Sequence, residues 1–173
     1  LLPITSKILE GVIEYFESNH LLHPSHHGFR SKHNTSTSLL QMFNTCLEAM
    51  ESDEISAVIM LDLSAAFDGV DHQILLEKLK LYGLEAGTLA WFESYLSGRS
   101  QQVSIEGSLS DSLTLDAGVP QGSVLGPLLY ILFTNDLPEA THDHLAQGSS
   151  YYCGGICSFA DDSTLTVSRS NPE

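Results

Sequence analysis

The run Ala57-Val58-Ile59-Met60-Leu61 stops abruptly at Asp62. A short, uninterrupted apolar stretch of this kind predicts a strand buried on both faces, which needs other layers packed against it. A carboxylate at the end of such a strand is costly unless its charge is compensated. The same pattern recurs near the C-terminus. There Ile156–Phe159 and Thr164–Val167 flank Ala160-Asp161-Asp162 and read as a hairpin with acidic residues in its turn.

The remaining chain supplies mostly helices. Ile8, Val12, Ile13, Tyr15 and Phe16 give residues 4–20 a helical period. The stretch His20–Asn34 is rich in His, Ser, Pro and Gly and reads as a loop. Thr35–Met50 opens with hydroxyl residues and repeats Leu39, Leu40, Met42, Phe43, Leu47 and Met50 as a second helix. Asp71 can cap a helix carrying Ile74, Leu75, Leu76 and Leu79, which Gly83 ends. A further helix spans Ala86–Leu96 and stops at Gly98. Gln101–Glu106 and Ser112–Asp116 flank a Gly-Ser turn as a hairpin, and Val124–Phe133 reads as an apolar helix. Residues 138–152 read as a polar loop. The order helices, strand, helices, hairpin, helix, hairpin predicts an α+β fold: a small, mostly antiparallel sheet with helices on one face.

At 173 residues the chain is one domain's worth, and 42% hydrophobic against 17% charged residues argues against wholesale disorder. No apolar run reaches the length of a membrane span. No signal peptide is visible, the first residue is Leu1 rather than Met, and the chain stops in polar sequence, so it reads as a piece of a longer protein. The cysteines, Cys46, Cys153 and Cys157, are odd in number. They fit a reducing compartment better than a disulfide framework.

Charge pulls in two directions. Seven basic residues stand against 22 acidic ones, a net charge of −15. Proteins that grip nucleic acid usually show a basic face. Metal chemistry, in contrast, needs carboxylates: Mg²⁺ takes oxygen ligands, often one or two carboxylates plus substrate phosphates. Asp62 and Asp161 could converge from adjacent strands on such ions, or be a helix cap and a solvated turn.

The surrounding words bear on that choice. Leu61-Asp62-Leu63-Ser64-Ala65-Ala66-Phe67-Asp68 resembles motif A of reverse transcriptases in the form typical of non-LTR (LINE-like) retrotransposons. Gly118-Val119-Pro120-Gln121-Gly122-Ser123-Val124-Leu125-Gly126-Pro127 resembles their motif B, and Phe159-Ala160-Asp161-Asp162 their motif C. Upstream, His27-Gly28-Phe29-Arg30 with Ser36-Thr37 resembles the fingers motif. These words stand in the family's order and span most of the chain, which separates them from an isolated motif hit.

The resemblance implies a polymerase palm, residues 56–173, with part of a helical fingers region, residues 1–55, and no thumb. It implies an RNA-directed DNA polymerase that adds deoxynucleoside triphosphates to a primer 3′-OH on an RNA template, using Mg²⁺ with Mn²⁺ as a substitute. Asp62, Asp161 and Asp162 match the catalytic, metal-binding carboxylates, and Leu63 is carried over with them as a metal contact. Phe67 matches the steric gate against a ribose 2′-OH, although a core aromatic is the other reading. Gln121 and Gly122 match the turn beside nucleotide and template, with Leu63, Ser64 and Arg30 as further nucleotide or template contacts. Asp68 reads as structural, and Arg30 and Lys32 read equally as solvated loop charges.

The resemblance is incomplete. The family's basic segment before residue 1, its thumb and its endonuclease lie outside these words, and they are the expected partners within a larger polyprotein. Ala65-Ala66 stands where many relatives carry Lys. His142, His144, Cys153 and Cys157 could form a zinc site, though the spacing is not a familiar one and plain loop polarity is the simpler reading. Two other functions stay open: a catalytically silent retrotransposon remnant, and an acidic domain binding Ca²⁺ or a basic partner, for which no EF-hand loop is present.

Overall fold

The structure, a computed structural model, describes residues 4–123, 125–146 and 152–170, with side chains described from residue 11 onward except at 142–146 and 152–154. In chain order the elements are α1 (Ile4–Ser18), α2 (Thr35–Glu51), β1 (Glu54–Asp62), α3 (His72–Leu81), α4 (Ala86–Leu96), β2 (Arg99–Gln101), β3 (Ser104–Ile105), β4 (Ser108–Leu109), β5 (Leu113–Leu115), α5 (Gly126–Thr134), α6 (Leu137–Ala146), β6 (Tyr152–Phe159) and β7 (Asp162–Ser170). The chain groups into two compact units, Leu1–Ser64 with Thr134–Glu173, and Ala65–Phe133. This grouping by contact cuts the chain elsewhere than the motif-based division at residue 55.

The first unit is built on an antiparallel three-stranded sheet in the order β1-β7-β6. Helix α2 packs on all three strands and α6 on β6. Asn34 caps α2: its Oδ1 accepts from the Thr37 amide at 3.0 Å, and Thr37 Oγ1 accepts from the Asn34 amide at 2.9 Å. Phe16, Leu22, Ala49, Ile156 and Cys157 are buried here.

Three expectations change in this unit. The run Ala57–Leu61 is a strand, but not a buried one: Val58, Ile59, Met60 and Leu61 are all exposed. β1 lies at the sheet edge, paired to β7 on one side only, and α2 packs on it without burying these side chains, so the full cover a two-faced apolar strand needs is not supplied among the described residues. Helix α2 shows a related inversion. Leu39, Leu40, Phe43, Leu47 and Met50 are exposed. Its Ser38 and Gln41 instead make polar contacts, Ser38 Oγ lying 3.0 Å from Cys157 Sγ and Gln41 Oε1 2.7 Å from His27 Nε2.

Residues 138–152, expected to be a polar loop, begin instead with α6. Pro138 occupies its first turn, where a missing amide N–H is harmless, and Glu139 complements the positive end of the helix dipole. A polar helix has no apolar stripe to announce it. The side chains of His142, His144 and Cys153 lie outside the described residues, while Cys157 is buried beside Ser38, and burial pushes its thiol pKa up.

The second unit holds α3 and α4, packed on each other, and two short antiparallel ribbons, β2-β5 and β3-β4. The ribbons are successive tiers of the expected hairpin. Asp71 caps α3, its Oδ1 accepting from the Ile74 amide at 2.9 Å. Leu75, Leu79, Phe92, Leu96, Val119 and the apolar turns of α5 are buried.

Candidate active site

Strand pairing brings the C-terminal carboxylates and Asp62 together. In the β1-β7 ladder Asp62 stands directly opposite Asp162, and in the β6-β7 ladder Phe159 also pairs with Asp162. Directly paired residues share a sheet face with Cβ atoms roughly 4.5–5.5 Å apart. Ala160 and Asp161 form the two-residue turn between β6 and β7, with Ala160 at φ 56°. A positive φ at the first turn position belongs to the tight primed turns of twisted hairpins, which favour Gly there. Asp62 and Asp162 are exposed and Asp161 half-buried, so all three are open to a ligand at this end of the sheet.

The loop between α1 and α2 braces the hairpin. The His27 amide donates to Ser158 O at 2.8 Å, and the Ser158 amide donates to Ser25 O at 2.9 Å. The loop thus adds a short parallel bridge, His26 to Ser158, beside β6. Gly28 abuts the acidic turn so closely that a Cβ there would lie 2.4 Å from Ala160 N. His27 ties the loop to α2, with Nδ1 2.9 Å from Thr37 Oγ1 and Nε2 2.7 Å from Gln41 Oε1. His26 is almost fully buried, and its Nε2 donates to Thr134 O at 3.1 Å. Burial pushes its pKa down to about 4, so the ring stays neutral. Beneath the turn the buried hydroxyls of Ser158 and Ser163 lie 3.0 Å apart.

Arg30 is spent on this same loop. Its Nη1 donates to His23 O at 2.9 Å and to His26 O at 3.0 Å, and its Nε is buried without a hydrogen-bond partner. Burial lowers its pKa. Its guanidinium is therefore a strut of the loop. Lys32 is exposed at φ 62°, and Leu63 and Ser64 are exposed just beyond β1.

Phe67, Gln121 and Gly122 belong to the second unit. The Phe67 ring stacks on buried Tyr130, centroids 4.6 Å apart at 25°, so the residue is half core and half available. Gln121 Nε2 donates to Asp68 Oδ1 at 3.0 Å. Around that bond the segment 67–72 is laced to 117–121. The Gly118 amide donates to Val70 O at 2.8 Å, the Val119 amide to Phe67 O at 2.9 Å, and His72 Nε2 to Gly118 O at 2.7 Å. Gly118 has φ 90°, and a Cβ there would press to 3.0 Å on the Asp68 backbone, so both conformation and space require glycine. Gly122, at φ 75°, has open space around it. A cleft of about 600 Å³ runs along this lacing, lined by Asp68, His72, Arg99, Gly118, Pro120 and Gln121 among others.

Sequence reasoning missed His72, Tyr130 and the tight seat of Gly28. His72 follows a helix cap and Tyr130 sits in an apolar helix; nothing local announces a partner dozens of residues away. Among the described residues no group of three His, Cys, Asp or Glu side chains is placed to hold a metal ion unaided. The donors at the sheet end suit Mg²⁺ rather than a closed protein cage, because that ion is often held by one or two carboxylates and completed by substrate phosphates.

A family model described as reverse transcriptase (RNA-dependent DNA polymerase) matches residues 1–172. The chain is 37% identical over 168 residues to the RNA-directed DNA polymerase from mobile element jockey of Drosophila funebris, covering 94% of this chain and 18% of that protein. It is 36% identical over 171 residues to the probable RNA-directed DNA polymerase from transposon X-element of Drosophila melanogaster, covering 96% and 18%. The chain thus spans less than a fifth of the length of these relatives. Among solved structures it resembles apo telomerase from Candida tropicalis truncated from the C-terminal domain, with a TM-score of 0.65 at 14% identity, over 96% of this chain and 34% of that one, a likeness of fold.

Proposed function

The chain belongs to the reverse transcriptase (RNA-dependent DNA polymerase) family, and we propose that it carries the catalytic carboxylates of an RNA-directed DNA polymerase of the non-LTR retrotransposon kind. The observation that carries this reading is the placement of Asp62 opposite Asp162 at the end of the β1-β7 ladder, with Asp161 in the adjoining turn. Like charges directly opposite on a sheet destabilise it. Their persistence at an exposed strand end is accounted for by a cation that they share.

Bound Mg²⁺ would supply Lewis-acid charge to the attacking and leaving oxygens of an in-line phosphoryl displacement. One or two of Asp62, Asp161 and Asp162 would present the oxygen ligands that hold it, with substrate phosphates completing the shell and Leu63 adjoining. The chain's other residues position the reactants: a primer 3′-OH attacks the α-phosphate of a deoxynucleoside triphosphate, paired to an RNA template, and pyrophosphate leaves. Holding the two in line converts a bimolecular step into an effectively unimolecular one. Phe67, braced by Tyr130, matches the family's steric gate, whose ring would exclude a ribose 2′-OH. Gln121, oriented by Asp68, keeps its carbonyl oxygen and a second amide hydrogen for nucleotide or template. Gly122 lets backbone come close without a side chain. Basic residues elsewhere in a longer protein would supply the grip on primer and template that a net charge of −15 does not.

The test is primer extension on an RNA template by the full-length protein, comparing wild type with Asp62→Asn and Asp161→Asn. Extension by the wild type and its loss by about 10²-fold or more in either variant supports the reading. An intact wild type without extension supports a silent remnant instead, and full activity in the variants removes these carboxylates from the chemistry.

A further inference from the structure

Phe29 combines two unfavourable features. Its φ is 54°, a region that bulky side chains rarely adopt, and its side chain is 53% exposed. A Gly or Asn would fit this backbone with less strain, and a polar residue would fit the exposure. Sparsely populated backbone conformations persist where the surroundings enforce them, and they gather at binding sites.

The surroundings here do enforce it. On one side Gly28 is wedged against the backbone of Ala160, and the amide of His27 is bonded to Ser158. On the other, Arg30 Nη1 is fixed on the carbonyls of His23 and His26. Phe29 is therefore an exposed ring on a braced loop, next in sequence to Gly28, which abuts the turn that carries Asp161. Consecutive Cα atoms are 3.80 Å apart, which puts the Phe29 Cα within about 8 Å of Ala160 N.

We infer that Phe29 is a stacking platform for a nucleobase beside the acidic turn. The inference rests on the polymerase reading, which brings primer end and incoming nucleotide to that turn. It assigns the ring a ligand of stated chemistry, the π-face of a base. Aromatic side chains serve sequence-tolerant binding of unpaired bases in this way. A rigid ring presented by a fixed backbone loses little entropy on stacking. The base belongs either to the template–primer strands or to the free triphosphate.

The test uses the full-length protein with Phe29→Tyr, Phe29→Leu and Phe29→Gly. Affinity for a primer–template duplex with a single-stranded RNA overhang is measured by fluorescence anisotropy without triphosphate, and KM for triphosphate by single-nucleotide extension. The expected result is about tenfold weakening in Leu and Gly and near-wild-type behaviour in Tyr. A raised duplex Kd identifies a strand base, and a raised KM alone identifies the incoming base. Phe29→Gly is expected to melt at the wild-type temperature or above, since it relieves the backbone. Leu equal to wild type in both measurements overturns the inference, as does a lowered melting temperature for Gly, which would make the ring part of the packing. Absence of extension in the wild type counts against the polymerase reading, while the anisotropy series still judges the ring.

Discussion

Asp62 and Asp162 stand directly opposite each other across the β1-β7 ladder, two like charges on one face of a small sheet. Without a cation they repel, by roughly 0.2–1 kcal/mol for such a cross-strand pair. Replacing one by Asn is expected to raise metal-free stability by about that amount while abolishing nucleotidyl transfer. Urea unfolding in EDTA beside extension assays checks both halves. A variant that lost stability in EDTA would mean the pair is held by something other than a shared ion.

Gly28 gives a second prediction. Its alanine variant must move backbone, because the added carbon would meet Ala160 N at 2.4 Å. Overpacking of this kind costs about 1–3 kcal/mol. Because the contact is with the acidic turn, activity should fall further than stability does. Thermal melting and extension at a temperature where the variant is fully folded separate the two effects.

Removing the imidazole in His72→Ala leaves Gly118 O without its donor. A part-buried hydrogen bond of this sort contributes about 1 kcal/mol. The lacing it belongs to also carries Gln121, so KM for triphosphate is expected to rise more than kcat falls, and His72→Gln, which keeps a side-chain N–H, should restore part of the loss. Steady-state kinetics on the three proteins decide it.

His26 predicts the acid limit of stability. Its folded pKa is depressed by burial to about 4, against 6.5 in the unfolded chain. Between those values the unfolded state binds the extra proton. Stability is therefore complete above pH 6.5 and is lost as pH falls toward 4, by about 3 kcal/mol in all. His23, whose pKa is also lowered by burial, adds to the fall in the same direction. Chemical denaturation from pH 7.5 to 4.5 should show the slope, and His26→Gln should flatten most of it.

Much of this architecture was legible in the sequence because it is written locally. Asn34 and Asp71 cap the helices they precede, Gly83 and Gly98 end helices in left-handed conformations, and the acidic turn lies between two strands. What was not legible depends on partners. The run Ala57–Leu61 has the composition of a buried strand, yet burial is a property of neighbouring layers, and it sits at an exposed edge. Helix α6 carries too few apolar residues to show a period. At the candidate site, Asp62, Asp161 and Asp162 are singled out by the words around them, whereas the Phe67–Tyr130 stack and the Gly28 wedge arise from long-range packing that no local spacing encodes.

The most direct measurement is Mn²⁺ binding, by electron paramagnetic resonance, to the full-length protein with primer–template and an unreactive triphosphate. The account predicts tight binding of about two ions by the wild type, as in two-metal phosphoryl-transfer sites, and loss of at least one in Asp62→Asn. Undiminished Mn²⁺ binding and undiminished extension in that variant would contradict it.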